Sequence, residues 1–349
     1  MMLKNKRLLS GNEAVIYGAL LAGADAYYGY PITPASEIAH TAAVKFPELG
    51  RVFLQAESEI GAINMVMGAA AAGRRAMTAS SGLGISLKQE AVSYLAGSEL
   101  PCVIVDIMRG GPGLGNIAPE QADYNQVVKG GGHGSYRCIV LAPGSAQEMC
   151  DMTGKAFELA EKYAMPVYIL TDAVIGQMIE SVTLPEPLPN RELPDNALAI
   201  GKNRNNFFTS IYLEPDELEA HNIKLQKKYA VIQEREELSE DYLLEDAEFI
   251  YIAYGICGRL AKNAAEQLRK KGIKAGVLRP KTLFPFPKKR IAGLVGQAQK
   301  FISVELSCGQ MIDDIKLAIN CANPVELINR MGGNMLSVAE IVERTEKLL

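Results

Sequence analysis

Tryptophan is absent from the 349 residues, histidine occurs three times, and the six cysteines are widely spaced. No two cysteines form a C-x-x-C pair. Because iron–sulfur clusters and zinc ribbons need closely spaced thiolates, we expect neither within this chain. The cysteines are expected to be reduced and buried, as isolated cysteines of cytosolic proteins are. Three histidines also give little support to a histidine-rich metal site.

Long apolar segments and an excess of positive charge are missing as well. No apolar run approaches the ~20 residues that span a bilayer, and the basic N-terminus has no apolar stretch before a cleavage site. Because the formal net charge is −4, nucleic acid and anionic membranes are not the expected partners. These absences predict a cytoplasmic globular protein, and the length favours about two domains.

Three motifs of common enzyme classes are not found. The sequence has no G-x-G-x-x-G, no G-x-x-x-x-G-K-[ST] and no G-x-S-x-G. Dinucleotide binding, P-loop chemistry and α/β-hydrolase chemistry therefore lack their usual support.

An alternation of strand and helix patterns runs from about residue 10 to residue 180 and resumes at Glu248. The connection holds four prolines that favour an extended chain, namely Pro185, Pro187, Pro189 and Pro194. A charged stretch over 214–242 then predicts one exposed helix.

This alternation predicts two α/β domains. Their expected bounds are 1–182 and 247–349, joined by a Pro-rich linker and charged helix over 183–246. Within the first domain, Asn12 is expected to cap a helix and Ser145 with Glu148 to form a capping box. The sequence also predicts a buried strand at 52–56 and an apolar strand at 101–108, at the centre of a parallel sheet.

The segment GYPITPASE, residues 29–37, follows a predicted strand. Proline fixes its own φ and restricts the residue before it, so Thr33 is expected to be held extended. A stiff loop at the carboxyl end of a parallel strand is where α/β proteins bind ligands. The alternative is a simple turn into a helix, with Ser36 near its N-cap.

The segment QAESEIGAINMVMGAAAAG, residues 55–73, places Glu57 and Glu59 at the start of a helix that is otherwise small and apolar. Acidic residues there complement the helix dipole without any further role. Alternatively, a helix so rich in glycine and alanine packs closely against a neighbour, and one of its carboxylates hydrogen-bonds a cofactor.

The segment RGGPGLGN, residues 109–116, begins with an arginine directly after the most apolar predicted strand. Arg109 followed by glycines suits recognition of a carboxylate or phosphate, where a charge-assisted pair contributes roughly 1.5–3 kcal/mol. A surface loop with a solvated arginine is the alternative. His133, in GGGHG at 130–134, is a weaker candidate, because a lone histidine is more often structural.

These segments occur in the order YPITPASE, SEIGAINMVMGAA, TASSGLG and MRGGPG. Together they resemble the α subunit of the 2-oxoacid:ferredoxin oxidoreductases. IAYGICGRLAKNAAEQLRKKGIKAGVLRPKTLFPFP and ISVELSCGQMIDDI resemble the second domain of the same family. The resemblance implies a thiamine diphosphate-binding, pyrimidine-type parallel-sheet domain followed by a transketolase C-terminal-like α/β domain.

The resemblance also implies a reaction and partners. The family decarboxylates a 2-oxoacid oxidatively to an acyl-CoA and passes electrons to ferredoxin. A separate β subunit holds the diphosphate and Mg²⁺, and iron–sulfur clusters lie on partner subunits, with γ- and δ-type chains among them. This chain has no GDG motif and no cluster cysteines, so it is expected to be half of an active site and inactive alone.

Residue roles follow from the motif matches. Glu59 matches the glutamate that hydrogen-bonds the aminopyrimidine ring and so helps to ionise the thiazolium carbon. Glu57 is the weaker candidate. Thr33 matches the threonine near the 2-oxoacid carboxylate, beside Pro31 and Ile32 of the cofactor-contacting loop. Arg109 matches the arginine that pairs with that carboxylate.

One departure concerns the substrate. Many 2-oxoglutarate-type members have RGGPSTG where this chain has RGGPGLGN. Leu114 in place of a hydroxyl suits an apolar pocket wall, and the segment resembles branched-chain members acting on 3-methyl-2-oxobutanoate, although a methylene discriminates by only ~1–3 kcal/mol. The alternatives are 2-oxoglutarate or pyruvate as substrate, a complete thiamine enzyme of another type, and a non-catalytic assembly module for the β subunit.

Overall fold

A computed structural model describes residues 6–187, Pro194, Ala197 and 206–348. Pro189 of the predicted connector lies outside these residues, as does 198–205. No helix in the described ranges is long and apolar enough to cross a membrane.

The first half of the chain alternates strands and helices, as its pattern predicts. Its elements are β1 (Lys6–Ser10), α1 (Gly11–Leu21), β2 (Ala26–Gly29), α2 (Ser36–Glu48), β3 (Val52–Gln55), α3 (Glu59–Ala71), β4 (Ala76–Ser80), α4 (Leu83–Gly97), β5 (Cys102–Met108), β6 (Ile139–Leu141), α5 (Ala146–Tyr163), β7 (Pro166–Asp172), α6 (Ala173–Gln177) and β8 (Ile179–Thr183). A π-helical turn, Asn125–Gly130, lies between β5 and β6.

The second half begins with a long helix and then resumes the alternation. Its elements are α7 (Pro215–Arg235), β9 (Ser239–Tyr242), β10 (Phe249–Ile252), α8 (Gly255–Lys270), β11 (Ala275–Pro280), β12 (Thr282–Phe284), α9 (Lys288–Ala292), β13 (Lys300–Glu305), α10 (Ile312–Ala318), β14 (Val325–Asn329) and α11 (Val338–Glu346).

The larger sheet has seven strands in the order β12-β6-β7-β5-β4-β2-β3. Every pair is parallel except β12 with β6, where Thr282 lies opposite Leu141. Strand β5 is the middle strand and all its residues are buried, which confirms the expectation for 101–108. The carboxyl ends of β2, β4 and β5 therefore meet at one edge, where ligands of α/β proteins bind.

The second sheet has five strands in the order β14-β13-β10-β11-β9. Its pairs are parallel except β9 with β11. Strands β1 and β8 form a separate antiparallel pair. Two short strands depart from the sequence prediction: β9 lies in the stretch predicted as helix, and β12 leaves the second half to join the first sheet.

Three local predictions at the first sheet are wrong or only half right. The strand at 52–56 is not buried, because β3 is the sheet edge and Val52 is 48% exposed. Ser10, not Asn12, caps α1, in a capping box with Glu13. Asn12 is buried inside the helix, where its side-chain amide donates to the Pro34 carbonyl oxygen at 2.9 Å.

The capping box at Ser145 forms only in part. Its hydroxyl accepts from the Glu148 backbone N–H at 3.1 Å. The Glu148 carboxylate does not return to Ser145, because it accepts instead from the Gly144 N–H at 2.8 Å and from Arg279 at 2.6 Å. The last bond ties α5 to β11 and so joins the two sheets.

Candidate functional site

The loop that leaves β4 forms the floor of the candidate site. Gly82 has φ +50° and its N–H donates to Asp123 Oδ2 at 3.2 Å. An L side chain is strained at that φ, so the turn favours glycine. A Cβ on Gly82 would lie 3.5 Å from Arg109 Cγ, whereas one on Gly84 would lie 2.8 Å from Glu59 Oε1. The segment Gly82–Gly84, where α4 begins, therefore approaches Arg109 at Gly82 and Glu59 at Gly84.

Glu59 is the first residue of α3, which Ser58 caps by accepting from the Gly61 N–H at 3.0 Å. The predicted start at Glu57 is two residues early, and Glu57 is exposed ahead of the helix. Glu59 is only 6% exposed, and within the described ranges no donor forms a hydrogen bond to its carboxylate. A buried carboxylate with unused acceptor oxygens is suited to a ligand that brings a donor.

Arg109 follows β5 and lies across the end of β4. Its Nη1 donates to the Thr33 carbonyl oxygen at 3.0 Å, and its Nη2 donates to the Leu114 carbonyl oxygen at 3.1 Å. Both acceptors are neutral carbonyl groups, so neither forms an ion pair with the guanidinium, although Asp123 lines the same cavity and interacts with its charge.

Glu120 holds the loop after Arg109 in place. Its carboxylate accepts from the Gly111 N–H at 2.7 Å and from the Gly332 N–H at 2.8 Å. Asn116 donates to the Gly332 carbonyl oxygen at 3.0 Å. The Gly-rich loop is therefore fixed against a turn of the second half of the chain, a restraint that the sequence pattern did not indicate.

A cavity of about 800 Å³ opens beside Arg109. Its lining comes from both halves of the chain and includes Gly82, Leu83, Arg109, Asp123, Gln310 and Gly332. A cavity of this size accommodates a small organic acid together with part of a larger ligand.

Two carboxyl groups, Asp106 and Asp123, lie in contact at this cavity, and Asp123 lines it. Asp106 is fully buried in β5, and no donor among the described residues bonds to either of its oxygens. Burial, together with the neighbouring Asp123 charge, raises the pKa of Asp106 well above its usual range. Burial also raises the pKa of Asp123 to about 6, although the Gly82 N–H opposes the shift. The folded pair therefore keeps a proton at pH values above the ordinary aspartate range.

The other residues singled out in the sequence lie as follows. Pro31 and Thr33 are exposed in the loop after β2, and Ile32 is partly buried against the core. His133 is exposed and does not line the cavity. Leu114 is 77% exposed and does not line it either. The structure of this chain therefore does not support Leu114 as a pocket wall.

Small residues of α3 do not all pack closely, contrary to the expectation for 55–73. Ile60, Asn64 and Gly68 share one exposed face of the helix, and nothing lies within 4 Å of a Cβ built on Gly68.

In the described part of the chain, no group of three or more His, Cys, Asp or Glu residues is placed to hold a metal ion.

Two family models divide the chain between them. The model described as "Pyruvate flavodoxin/ferredoxin oxidoreductase, thiamine diP-bdg" matches residues 17–244. The model described as "Pyruvate:ferredoxin oxidoreductase core domain II" matches residues 247–341. The chain belongs to the 2-oxoacid:ferredoxin oxidoreductase family. It is an enzyme subunit of the type that carries a thiamine diphosphate-binding domain, as the resemblance of its motifs implied.

Curated relatives match nearly the whole chain. The ketoisovalerate oxidoreductase subunit VorB of Methanothermobacter thermautotrophicus is 58% identical over 345 residues, which cover 98% of this chain and 97% of the relative. The 2-oxoglutarate synthase subunit KorA of Archaeoglobus fulgidus is 38% identical over 96% of this chain and 98% of its own. Both relatives are named as subunits, which implies a multi-subunit assembly for this chain as well.

Solved structures confirm the architecture. The 2-oxoglutarate:ferredoxin oxidoreductase from Magnetococcus marinus, determined with 2-oxoglutarate, coenzyme A and succinyl-CoA bound, superposes with a TM-score of 0.88 at 28% identity. The match covers 99% of this chain and 65% of that one. A split-gene transketolase shares the fold at a TM-score of 0.60 and 15% identity. The predicted order of a thiamine diphosphate-binding domain and a transketolase-like domain is confirmed.

Proposed function

We propose that this chain supplies the substrate-binding and aminopyrimidine-binding half of an enzyme that oxidises 3-methyl-2-oxobutanoate, also called ketoisovalerate. The 2-oxoacid, coenzyme A and two oxidised ferredoxins give the acyl-CoA, CO₂, a proton and two reduced ferredoxins. The observation that supports the proposal is that the start of α4 has a buried carboxylate without a protein donor, Glu59, beside Gly84, and a guanidinium, Arg109, beside Gly82. The substrate assignment rests on the higher identity to the ketoisovalerate subunit.

Glu59 is the residue that we assign to the cofactor. Thiamine diphosphate supplies the carbon nucleophile and the electron sink for decarboxylation. The Glu59 carboxylate, which lacks a protein donor, fits a ring that offers an N–H, and it would hold and share that proton. Glu59 lies in the first turn of α3, where the helix dipole favours a negative charge while the proton is on the ring.

Arg109 is the residue that we assign to the substrate. Its guanidinium is held by two carbonyl oxygens, from Thr33 and Leu114, so it is oriented before an anion arrives. A guanidinium that is held in place and always charged suits a carboxylate that must stay paired until CO₂ leaves. Thr33 orients Arg109 through its backbone, and Pro31 and Ile32 stiffen the loop that carries it.

Partner chains complete the proposed site. We infer that a β subunit holds the diphosphate and Mg²⁺ and covers the exposed α3 face of Ile60, Asn64 and Gly68. Gamma- and delta-type subunits with iron–sulfur clusters would pass electrons to ferredoxin in the cytoplasm. Domain bounds at 1–182 and 247–349, with a linker over 183–246, remain part of this proposal.

The test is anaerobic purification of the chain from its native host, followed by coenzyme A-dependent viologen reduction. We expect a brown multi-subunit complex that is most active on 3-methyl-2-oxobutanoate, with 2-oxoglutarate and pyruvate assayed beside it. Preference for 2-oxoglutarate would keep the mechanism and overturn the substrate. A colourless protein without partners would overturn the proposal.

A non-catalytic assembly module is the alternative from another class, and the exposed face of α3 is compatible with it. Glu59→Gln separates the two, since glutamine keeps the size of the side chain and cannot share the proton. At least a tenfold loss of activity in a fully assembled complex, roughly 1.4 kcal/mol of barrier, excludes the assembly module. Unchanged activity would favour it. Thiamine diphosphate bound by the isolated chain would instead favour a complete thiamine enzyme.

A further inference from the structure

Lys88 is a fully buried lysine on α4, next to the candidate cofactor site. Its relative exposure is 0%, and its Nζ donates to the Glu59 backbone carbonyl oxygen at 3.2 Å. Among the described residues this is the one hydrogen bond of its side chain, although an ammonium group has three donors. No feature of the sequence singled this residue out.

The position is costly for a cation. Burial lowers the pKa of Lys88 to about 8, and the negative charge of Glu59 opposes the shift. The N-terminus of α3 repels a cation as well, because its dipole is positive at that end. A buried methionine would fill similar space without these costs. The negative charge of Glu59 offsets part of the cost of burying the ammonium group.

We propose that Lys88 is a positioning residue for Glu59: it anchors the first turn of α3 through the Glu59 carbonyl and its ammonium stabilises the carboxylate form of the side chain. This inference rests on the proposed role of Glu59. A glutamate whose carboxylate form is stabilised gives its shared proton more readily to a ring nitrogen. Lys88 therefore acts on the proton that Glu59 holds, without touching substrate.

Two substitutions distinguish the effect of the Lys88 charge from that of its hydrogen bond to the Glu59 carbonyl oxygen. Lys88→Gln removes the charge and keeps an N–H donor for the Glu59 carbonyl oxygen, whereas Lys88→Met removes both. Each is made in the assembled complex, with Lys155→Gln, an exposed lysine on α5, as the control. The measurements are deuterium exchange at the thiazolium carbon of bound thiamine diphosphate without substrate, kcat, and KM for 3-methyl-2-oxobutanoate.

We expect Lys88→Gln to slow exchange and kcat by roughly tenfold, with KM unchanged and the control equal to the wild type. In a Glu59→Gln background, the same change should have no further effect. Wild-type exchange in Lys88→Gln, or failure of both Lys88 variants to assemble, would overturn the inference and leave a structural lysine. Wild-type exchange in Glu59→Gln would overturn the proposed role of Glu59 itself.

Discussion

Arg109 Nη1 and the Thr33 carbonyl oxygen are 3.0 Å apart, a hydrogen bond that crosses the end of β4. The loops after β2 and β5 are not sequence neighbours, but their strands flank β4 in the sheet. Two segments that the sequence marked separately, YPITP and RGGPG, are therefore parts of one site.

Replacing this arginine tests the carboxylate-pairing role. In Arg109→Lys, one ammonium cannot donate to both Thr33 and Leu114 and also present a fork to the substrate. We expect KM for 3-methyl-2-oxobutanoate to rise by roughly 10- to 100-fold, the range for loss of a charge-assisted hydrogen bond, with thiamine diphosphate affinity unchanged. Steady-state kinetics and cofactor titration of the complex measure both.

The control for that variant is Arg290→Lys, at an exposed ion pair with Asp241. It should leave KM unchanged, because exposed pairs contribute little. An unaltered KM in Arg109→Lys would rule out the carboxylate-pairing role.

A substitution at Gly84 tests whether the position of the Glu59 side chain matters for catalysis. A Cβ there would lie 2.2 Å from Ser80 Oγ and 2.8 Å from Glu59 Oε1, so Gly84→Ala must displace one or both side chains. We expect kcat to fall by roughly 10- to 100-fold, the cost of misplacing a catalytic group by about 1 Å. Kinetics and co-purification with partner subunits provide the measurement.

Gly154→Ala is the matched control, because nothing lies within 4 Å of its added Cβ. Alanine in the interior of α5 should stabilise the chain by about 0.5–1 kcal/mol and leave kcat unchanged. Equal kcat in both alanine variants would mean that Glu59 tolerates displacement.

The Asp106–Asp123 pair predicts a pH dependence of stability. The folded chain keeps the Asp123 proton from the ordinary aspartate value of 3.8 up to about 6, and burial raises the pKa of Asp106 as well, whereas the unfolded chain has lost both protons in this window. Stability contributed by the pair is therefore present below this window and is lost as pH rises through it. In Asp106→Asn, the free energy of unfolding relative to the wild type should increase by about 1.4 kcal/mol per pH unit across the window.

Urea unfolding of the full chain at several pH values measures this difference. Parallel curves for Asp106→Asn and the wild type would show that the two carboxyl groups share no proton.

Gln121 tests the contact between the two halves. Its buried side-chain amide donates to Asp172 at 3.3 Å and to the Tyr254 carbonyl oxygen at 3.1 Å, and its oxygen accepts from the Leu306 N–H at 3.1 Å. Gln121→Leu removes all three hydrogen bonds and leaves the buried Leu306 N–H without its acceptor, so we expect a loss of about 2–4 kcal/mol. Denaturant unfolding checks this value, with the exposed Gln233→Leu on α7 as the control. A loss no larger than in the control would contradict the role of Gln121 in joining the two halves.

Local signals in the sequence were sufficient for most of the first sheet. Strand β5 is predicted by its apolar run, and Glu59 and Arg109 are marked by their motifs at the ends of elements. What the sequence did not indicate depends on distant contacts. Glu120 joins the Gly-rich loop to the second half of the chain only because Gly332 lies opposite its carboxylate, and Lys88 resembles any helical lysine until α3 covers it.

The predictions for the strand at 52–56 and for the helix cap at Asn12 were wrong for the same reason. The run at 52–56 has the composition of a buried strand, yet no further strand pairs with β3 on its outer side within the described chain. Asn12 has the right side chain for a cap, but Ser10 forms a capping box with Glu13 and leaves Asn12 free to reach Pro34. Composition does not show whether another strand pairs with β3 or which polar residue caps α1.

Strand β12 makes the two halves of the chain interdependent during biosynthesis. Thr282–Phe284 pairs with β6. The outer side of β6 therefore stays unpaired until this part of the second half has left the ribosome. A fragment that ends at residue 246 would expose the backbone donors and acceptors of β6, and such edges recruit other chains. Separate expression of the first half is therefore expected to give aggregates, and adding the second half in trans should rescue its solubility.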